Sequence, residues 1–253
     1  MKKHEHSPLM WFIHNVSENP IAMTGIISFI IIVLSLLATR NLKEKPGRLQ
    51  NFFELWTEAV LSFITAIMGE HGKPFLPLFG SLAIFILLSN LVGLIPGCGS
   101  PTGNWNTTIA LALAVFFTTH YIGIRKKGLN YLSHFLFPIR FWKNNLWLLP
   151  LNILGDILFI IIHLMGELAK PFSLSLRLFV NMFSKHTTLL CLSFVVVLFA
   201  KKPILYFLTG FIPVLLPPAI MALGIITCCV QTLVFFLLSI IYVDLAMEET
   251  EEH

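Results

Sequence analysis

Charge is scarce in this chain. Only 12% of its 253 residues are Asp, Glu, Lys or Arg, where a soluble domain normally carries about 25%. Hydrophobic residues make up 56%, the mean hydropathy is +0.82, and the apolar residues gather in long runs. That argues against a water-soluble core and for insertion in a lipid bilayer. The net charge of +4 is small and the basic residues fall between the runs, so no nucleic-acid partner is expected. The phosphate-cradling run GxxxxGK followed by Ser or Thr is missing, so no nucleotide binding by this chain is expected. Cysteine is also sparse: Cys98, Cys191, Cys228 and Cys229 form no CxxC and no Cys/His metal spacing. No metal and no cofactor are expected. Cys191, Cys228 and Cys229 lie in apolar runs, where Cys acts as a small hydrophobe. His4, Glu5, His6 and His14 interrupt any apolar leader, so no cleavable signal peptide is expected, and one Arg in the first forty residues argues against a transit peptide.

What is present reads as an all-α integral membrane protein with a single membrane domain over 1–253. Residues 21–39 form the first span; at about 1.5 Å per residue they reach roughly 29 Å, enough to cross the hydrocarbon. Arg40, Lys43, Lys45 and Arg48 follow, and Pro46-Gly47 breaks the chain. Residues 51–69 mix Phe52, Phe53, Leu55 and Trp56 with Glu54 and Glu58, the pattern of an amphipathic interfacial helix. Spans follow at 75–95 and 106–124, the latter ended by Arg125, Lys126 and Lys127. Residues 129–147 combine aromatic and basic side chains and read as interfacial. The remainder is two long arms, 151–200 and 204–247, turned at Lys201-Lys202-Pro203. The first would be roughly 75 Å long as a helix, far more than the bilayer, so the two are expected to form a tilted hairpin. Pro213, Pro217 and Pro218 are expected to bend the second. About five membrane-embedded helices result. The positive loops after the first and third spans belong in the cytoplasm, which puts the N-terminus outside and the C-terminus inside. No internal repeat of the transporter kind is visible.

The first arm carries Asp156, His163, Glu167, Lys170, Arg177, Lys185 and His186 inside one apolar tract. Charges at membrane depth are costly, so each is a candidate for function. Glu167 and Lys170 are i,i+3 neighbours and can neutralise each other. Asp156, His163, Lys170 and Arg177 recur every seven residues, so each lies only about 20° around the helix from the last. Asn181 extends this stripe; His186, nine residues past Arg177, lies on the opposite face. Arg177 has no carboxylate at i±3 or i±4. Its guanidinium stays protonated, which makes it a poor proton carrier and a good fixed positive charge. In a low dielectric it would attract a carboxylate from another chain and favour its ionised form.

The run Lys170-Pro171-Phe172-Ser173-Leu174-Ser175-Leu176-Arg177-Leu178-Phe179-Val180-Asn181-Met182 closely resembles the signature of the a subunit of F-type ATP synthases. Asn90 to Gly97, Pro101 to Thr108, Gln231 to Phe235 and Tyr242 to Glu249 resemble other parts of that family; the first fifty residues match weakly. The resemblance implies a stationary ion-conducting subunit that forms two half-channels against a rotating c-ring and couples proton or sodium flow to its rotation. Arg177 would face the ring and separate the half-channels, Gln231 would sit across from it, and Asn181 would line an aqueous half-channel. His186 stands where bacterial members usually have Glu, and Gly224 where His or Glu is usual. Lys185 replaces the usual Gly; Lys185 with Gly224 resembles alkaliphile and sodium-using members, and Lys185 would fill the space that Gly224 leaves. Asp156, His163, Glu167 and Lys170 are the remaining half-channel candidates. The implied partners are the c-ring, the b subunits of the peripheral stalk and the lipid, in a bacterial inner (plasma) membrane, with no covalent chemistry by this chain. The alternatives are a secondary transporter or channel that works alone, and a membrane scaffold in which the polar residues only join helices.

Overall fold

The computed structural model describes residues 19–40, 42–43, 45–95, 99–128, 149–200 and 211–248; the side chains of 127, 149–157, 159, 186, 189, 192–193, 195–200, 211–217 and 248 are outside the description. Every regular element among the described residues is a helix. Helix α1 is Pro20–Thr39, opened by a proline at its first position, where the missing N–H costs no hydrogen bond. Its hydroxyls turn back on their own helix: Thr24 Oγ1 donates to the Pro20 carbonyl (2.7 Å) and Ser28 Oγ to the Thr24 carbonyl (2.9 Å). Thr118, Thr119, Thr232 and Ser239 do the same further on. In hydrocarbon there is no water to satisfy a hydroxyl, so the helix satisfies it internally.

Helix α2 (Arg48–Met68) buries Val60, Ile64 and Met68, one residue per turn, and leaves Phe52, Leu55 and Phe63 exposed. Gly69 ends it at φ 63°, and a 3₁₀ segment, Gly69–Phe75, leads into α3 (Leu76–Val92). The corner is tight: a Cβ on Gly72 would lie 2.5 Å from Ile64 Cγ2 and 2.8 Å from Met68 Cβ. A short 3₁₀ turn, Pro101–Gly103, precedes α4 (Trp105–Lys127). Asn104 caps α4, its Oδ1 accepting from the Asn106 N–H at 2.9 Å, and Gly128 closes it at φ 62°.

Helix α5, Leu149–Ala200, has 52 residues and runs on through Pro171. That is about 78 Å of helix against a hydrocarbon core of about 30 Å. Helix α6, Phe211–Glu248, has 38 residues and is helical through Pro213, Pro217 and Pro218. The expected start of that arm at 204, the turn at 201–203 and the interfacial segment 129–147 lie outside the described residues.

Helix α6 is the centre of the packing. One face of it meets α2 and α3 through Phe236, Ile240, Val243 and Met247, against Val60, Ile64, Phe79 and Ala83. Another meets α4 and α5 where Phe235 joins Ile86, Ala112, Val115, Leu174 and Leu178. Helix α1 packs on α2 and α3 at the margin and exposes Ile21, Phe29, Ile32 and Leu36. Four helical stretches among the described residues are long and apolar enough to cross a membrane: Pro20–Thr39, Arg48–Val92, Trp105–Lys126 and Pro218–Met247. The chain is an all-α membrane protein.

Candidate ion pathway

Helix α5 carries the candidate residues, and its buried face decides where they point. Leu174 and Leu178, 2% and 1% exposed, seat it against α3, α4 and α6. The buried Ser175 hydroxyl meets Thr108 Oγ1 of α4 at 3.2 Å, which pins the rotation of the helix. Arg177 lies off this face and is exposed. No hydrogen bond or ion pair holds its guanidinium among the described residues. Asn181, one turn on, is half-buried. Trp105 of α4 lies edge-on to Phe172 (6.0 Å) and Phe179 (5.3 Å), giving this stretch of α5 an aromatic brace.

Polar clusters flank Arg177 along the helix. Lys170 lies seven residues before it and Lys185 eight after, about 10 and 12 Å along the axis. In the first cluster Glu167 and Lys170 form the i,i+3 ion pair open to them in the sequence. The Lys170 ammonium also lies over the Tyr242 ring of α6, 5.8 Å from its centroid, within cation–π range. His120 and Thr119 of α4 complete the walls of a narrow cleft of about 20 Å³ between α4, α5 and α6, room for about one water. His163, one turn before Glu167, is half-buried.

In the second cluster the Lys185 ammonium reaches α6, donating to the Gly224 carbonyl (3.4 Å) and to Cys228 Sγ (3.2 Å). Cys228 is fully buried and its thiol points to the Asn90 carbonyl of α3 at 3.4 Å. Asn90 Oδ1 accepts from Thr102 Oγ1 (2.8 Å), Thr102 shares a hydrogen bond with Ser100 Oγ (2.8 Å), and Ser100 Oγ reaches the Ser89 carbonyl (3.3 Å). The chain of contacts thus runs from α5 through α6 and α3 to the turn before α4. Two details go beyond the sequence reading. Cys228 serves as a polar link as well as a small apolar filler. Leu94 stands beside Gly224, its Cδ2 2.7 Å from where a Cβ would be, and Lys185 donates to the Gly224 carbonyl from α5.

Gln231, one turn past Cys228, is 7% exposed, and its Nε2 has no hydrogen-bond partner among the described residues. It makes no hydrogen bond to Arg177. The side chains of Asp156 and His186 lie outside the description. Sequence reasoning passed over His120, Tyr242 and the Asn90–Thr102 contact. For His120 the signal was there, an imidazole inside the apolar run 106–124. For the Asn90–Thr102 contact it was not, because twelve residues and a turn separate the partners.

The family model described as ATP synthase A chain matches residues 21–244. That match spans both polar clusters and Arg177. The chain belongs to the ATP synthase a subunit family. Among its relatives, ATP synthase subunit a 3 of Pelobacter propionicus is 40% identical over 233 residues, 92% of this chain and 89% of that one. ATP synthase subunit a of Geotalea daltonii is 41% identical over 229 residues (90% and 87%), and that of Geobacter sulfurreducens 39% over 237 (94% and 91%). As an ATP synthase a subunit the chain is a component of the F0 sector, a multi-pass protein of the bacterial inner membrane that serves ATP synthesis and proton transport.

Proposed function

We propose that this a subunit forms the stationary wall of two half-channels facing a ring of c subunits. An ion, proton or sodium, enters one half-channel, binds a ring carboxylate, travels with the ring through the lipid and leaves by the other. The observation that carries this is Arg177: an exposed, permanently charged group without a partner among the described residues, set between polar clusters on one helix. A guanidinium held in low dielectric is costly unless a counter-charge arrives, and a ring carboxylate supplies one as each c subunit passes. The pairing also drives the ion off that carboxylate, since a nearby positive charge favours its ionised form. The same charge repels a cation seeking to go straight from one half-channel to the other. Gln231, its amide donor unpaired among the described residues, lies beside this route, Asn181 lines it, and Lys185 and His186 belong to one half-channel while Asp156, His163, Glu167 and Lys170 belong to the other.

The α5–α6 hairpin lies tilted in the membrane, which lets one helix follow the curved flank of a ring; the b subunits hold the chain stationary. Following the positive loops, the N-terminus is outside and the C-terminus cytoplasmic, which makes the Lys126 end of α4 the cytoplasmic mouth. The driving force is about 2.3 kcal/mol per charge for each 100 mV.

The deciding variant is Arg177→Ala, measured in inverted vesicles for ATP synthesis and passive ion flux, with assembly checked on a native gel. The expected result is an assembled complex without synthesis and with an ion leak. Arg177→Lys should be nearly as damaging, because an ammonium can lose its proton when buried and lacks the planar fork. Near-normal synthesis in the Ala variant would overturn the reading.

A further inference from the structure

We propose that the chain holds one anionic phospholipid where α1, α2 and α3 meet, its phosphate on the basic segment 40–48 and an acyl chain in the groove beside it. The groove has a volume of about 350 Å³, within the range of small-ligand sites, about 300–1,000 Å³. Ile31 and Ser35 of α1, Phe53 and Trp56 of α2, and Leu76 and Ile84 of α3 line it. Three polar groups in its walls are taken up within the protein. Thr57 Oγ1 donates to the Phe53 carbonyl (2.9 Å), Ser81 Oγ to the Leu78 carbonyl (3.0 Å), and the Trp56 indole N–H to the Gly80 carbonyl (3.4 Å). Such walls ask of an occupant only apolar surface, which an acyl chain offers.

Charge and register place the headgroup. Segment 40–48 carries Arg40, Lys43, Lys45 and Arg48 against one acid, Glu44, and the four basic residues are exposed. No hydrogen bond or ion pair holds their charged groups among the described residues. Gln50 clamps the segment to α2: its Oε1 accepts from the Lys43 N–H (3.2 Å), and its Nε2 donates to the Lys43 carbonyl (3.1 Å) and to Glu54 Oε1 (2.8 Å). The clamp keeps Lys43 at the start of α2 and engages the first acid of that helix. Ser35 and Ile31 lie five and nine residues before Arg40, and Phe53 and Trp56 five and eight after Arg48. On both helices the groove therefore opens about 7.5 Å from the basic segment and runs to about 12–14 Å, which is the order of head and chain in a phospholipid. Arg and Lys pair with phosphate, and each basic residue beside a span strengthens the attraction to anionic lipid about fivefold. A zwitterionic lipid gains less, because its own cation offsets the phosphate. A neighbouring helix would fill the groove yet leave the four charges without an anion. No residue of this site belongs to α5, so the proposal stands apart from the half-channel reading.

The test uses the whole ATP synthase in phosphatidylcholine vesicles doped with equal small fractions of phosphatidylglycerol or phosphatidylcholine carrying a diazirine in the acyl chain. After photolysis the labelled peptides of this chain are mapped by mass spectrometry. Peptides spanning 31–35, 53–57 and 76–84 are expected to take up phosphatidylglycerol about tenfold over phosphatidylcholine. K43Q/K45Q, which leaves Arg40 and Arg48 to hold the topology, should cut that preference about threefold or more, and about 0.5 M salt should also weaken it. Ser81→Phe, at an exposed position of the groove, should lower labelling at 53–57 by both lipids. Equal labelling by the two lipids in the wild type would overturn the proposal, leaving a face in general contact with the bilayer. Absence of labelling at all three segments would overturn it too, because a neighbouring subunit then covers the groove. So would an unchanged preference in K43Q/K45Q, or undiminished labelling in Ser81→Phe.

Discussion

The polar clusters on either side of Arg177 use the same kinds of side chain in opposite ways. Around Glu167 charge is cancelled locally: acid and base come from one helix, one turn apart, beside a narrow cleft. Around Lys185 the ammonium is met, among the described residues, by a carbonyl and a thiol, both from another helix, within a chain of contacts over α3, α6 and the Ser100–Thr102 turn. The first arrangement is cheap to build. The second couples helices tightly and lets a cation stand without an anion. A membrane protein can therefore hold a positive charge at depth either by neutralising it or by enclosing it in oriented dipoles, and this chain does each at a different end of one helix.

The comparison can be broken from the enclosed end first. Gly224→Val should cost the most. Its new atoms meet Leu94, whose Cδ2 already lies 2.7 Å from the Cβ position, and overpacking of this kind costs about 1–3 kcal/mol. Thermal release of the chain from the purified complex should come at lower temperature, and adding Leu94→Ala should recover part of the loss. Full stability of Gly224→Val alone would mean the enclosure is looser than described. Asn90→Leu should come next. It removes the acceptor of the buried Thr102 hydroxyl, a loss of about 1–2 kcal/mol, seen by the same melting assay; the paired Asn90→Leu, Thr102→Val change should be milder than the single one.

The Glu167 end should respond least. Glu167→Gln leaves the Lys170 ammonium unpaired, but that side chain is 36% exposed, so about 1 kcal/mol is expected. The double change Glu167→Gln with Lys170→Met should sit closer to wild type in the melt. A single substitution there as damaging as Gly224→Val would erase the distinction between the ends.

How much of this was legible in the sequence depends on how far apart the partners lie. The helices were, because lipid imposes long apolar runs: the spans expected at 21–39, 75–95 and 106–124 are the helices Pro20–Thr39, Leu76–Val92 and Trp105–Lys127. The Glu167–Lys170 pair was, because both ends lie within one turn. Arg177 was, by its lack of a near carboxylate. What was not legible is everything that α6 brings to α5. Lys185 reaching Cys228 spans 43 residues of sequence, and Cys228 reaching Asn90 spans 138. In a tract where nearly every residue is apolar, periodicity does not say which face of α6 meets which neighbour. Pro213, Pro217 and Pro218 stand within one continuous helix, as neighbouring helices allow at membrane depth.

The Leu94 side chain beside Gly224 has a consequence for how such a chain can change over generations. An imidazole or carboxylate in place of Gly224 would collide with Leu94, and an imidazolium there would face the Lys185 ammonium that now rests on the Gly224 carbonyl. The order of substitution is therefore restricted. Leu94 must turn aside or shorten as position 224 gains a side chain, and an imidazolium there is welcome only once Lys185 has gone. A Glu at 224 would instead find Lys185 waiting as its counter-ion, so the acidic route is shorter by one step. The packing of one leucine thus bears on the polar chemistry of the helices around it, and Lys185 biases position 224 toward an acid rather than an imidazole.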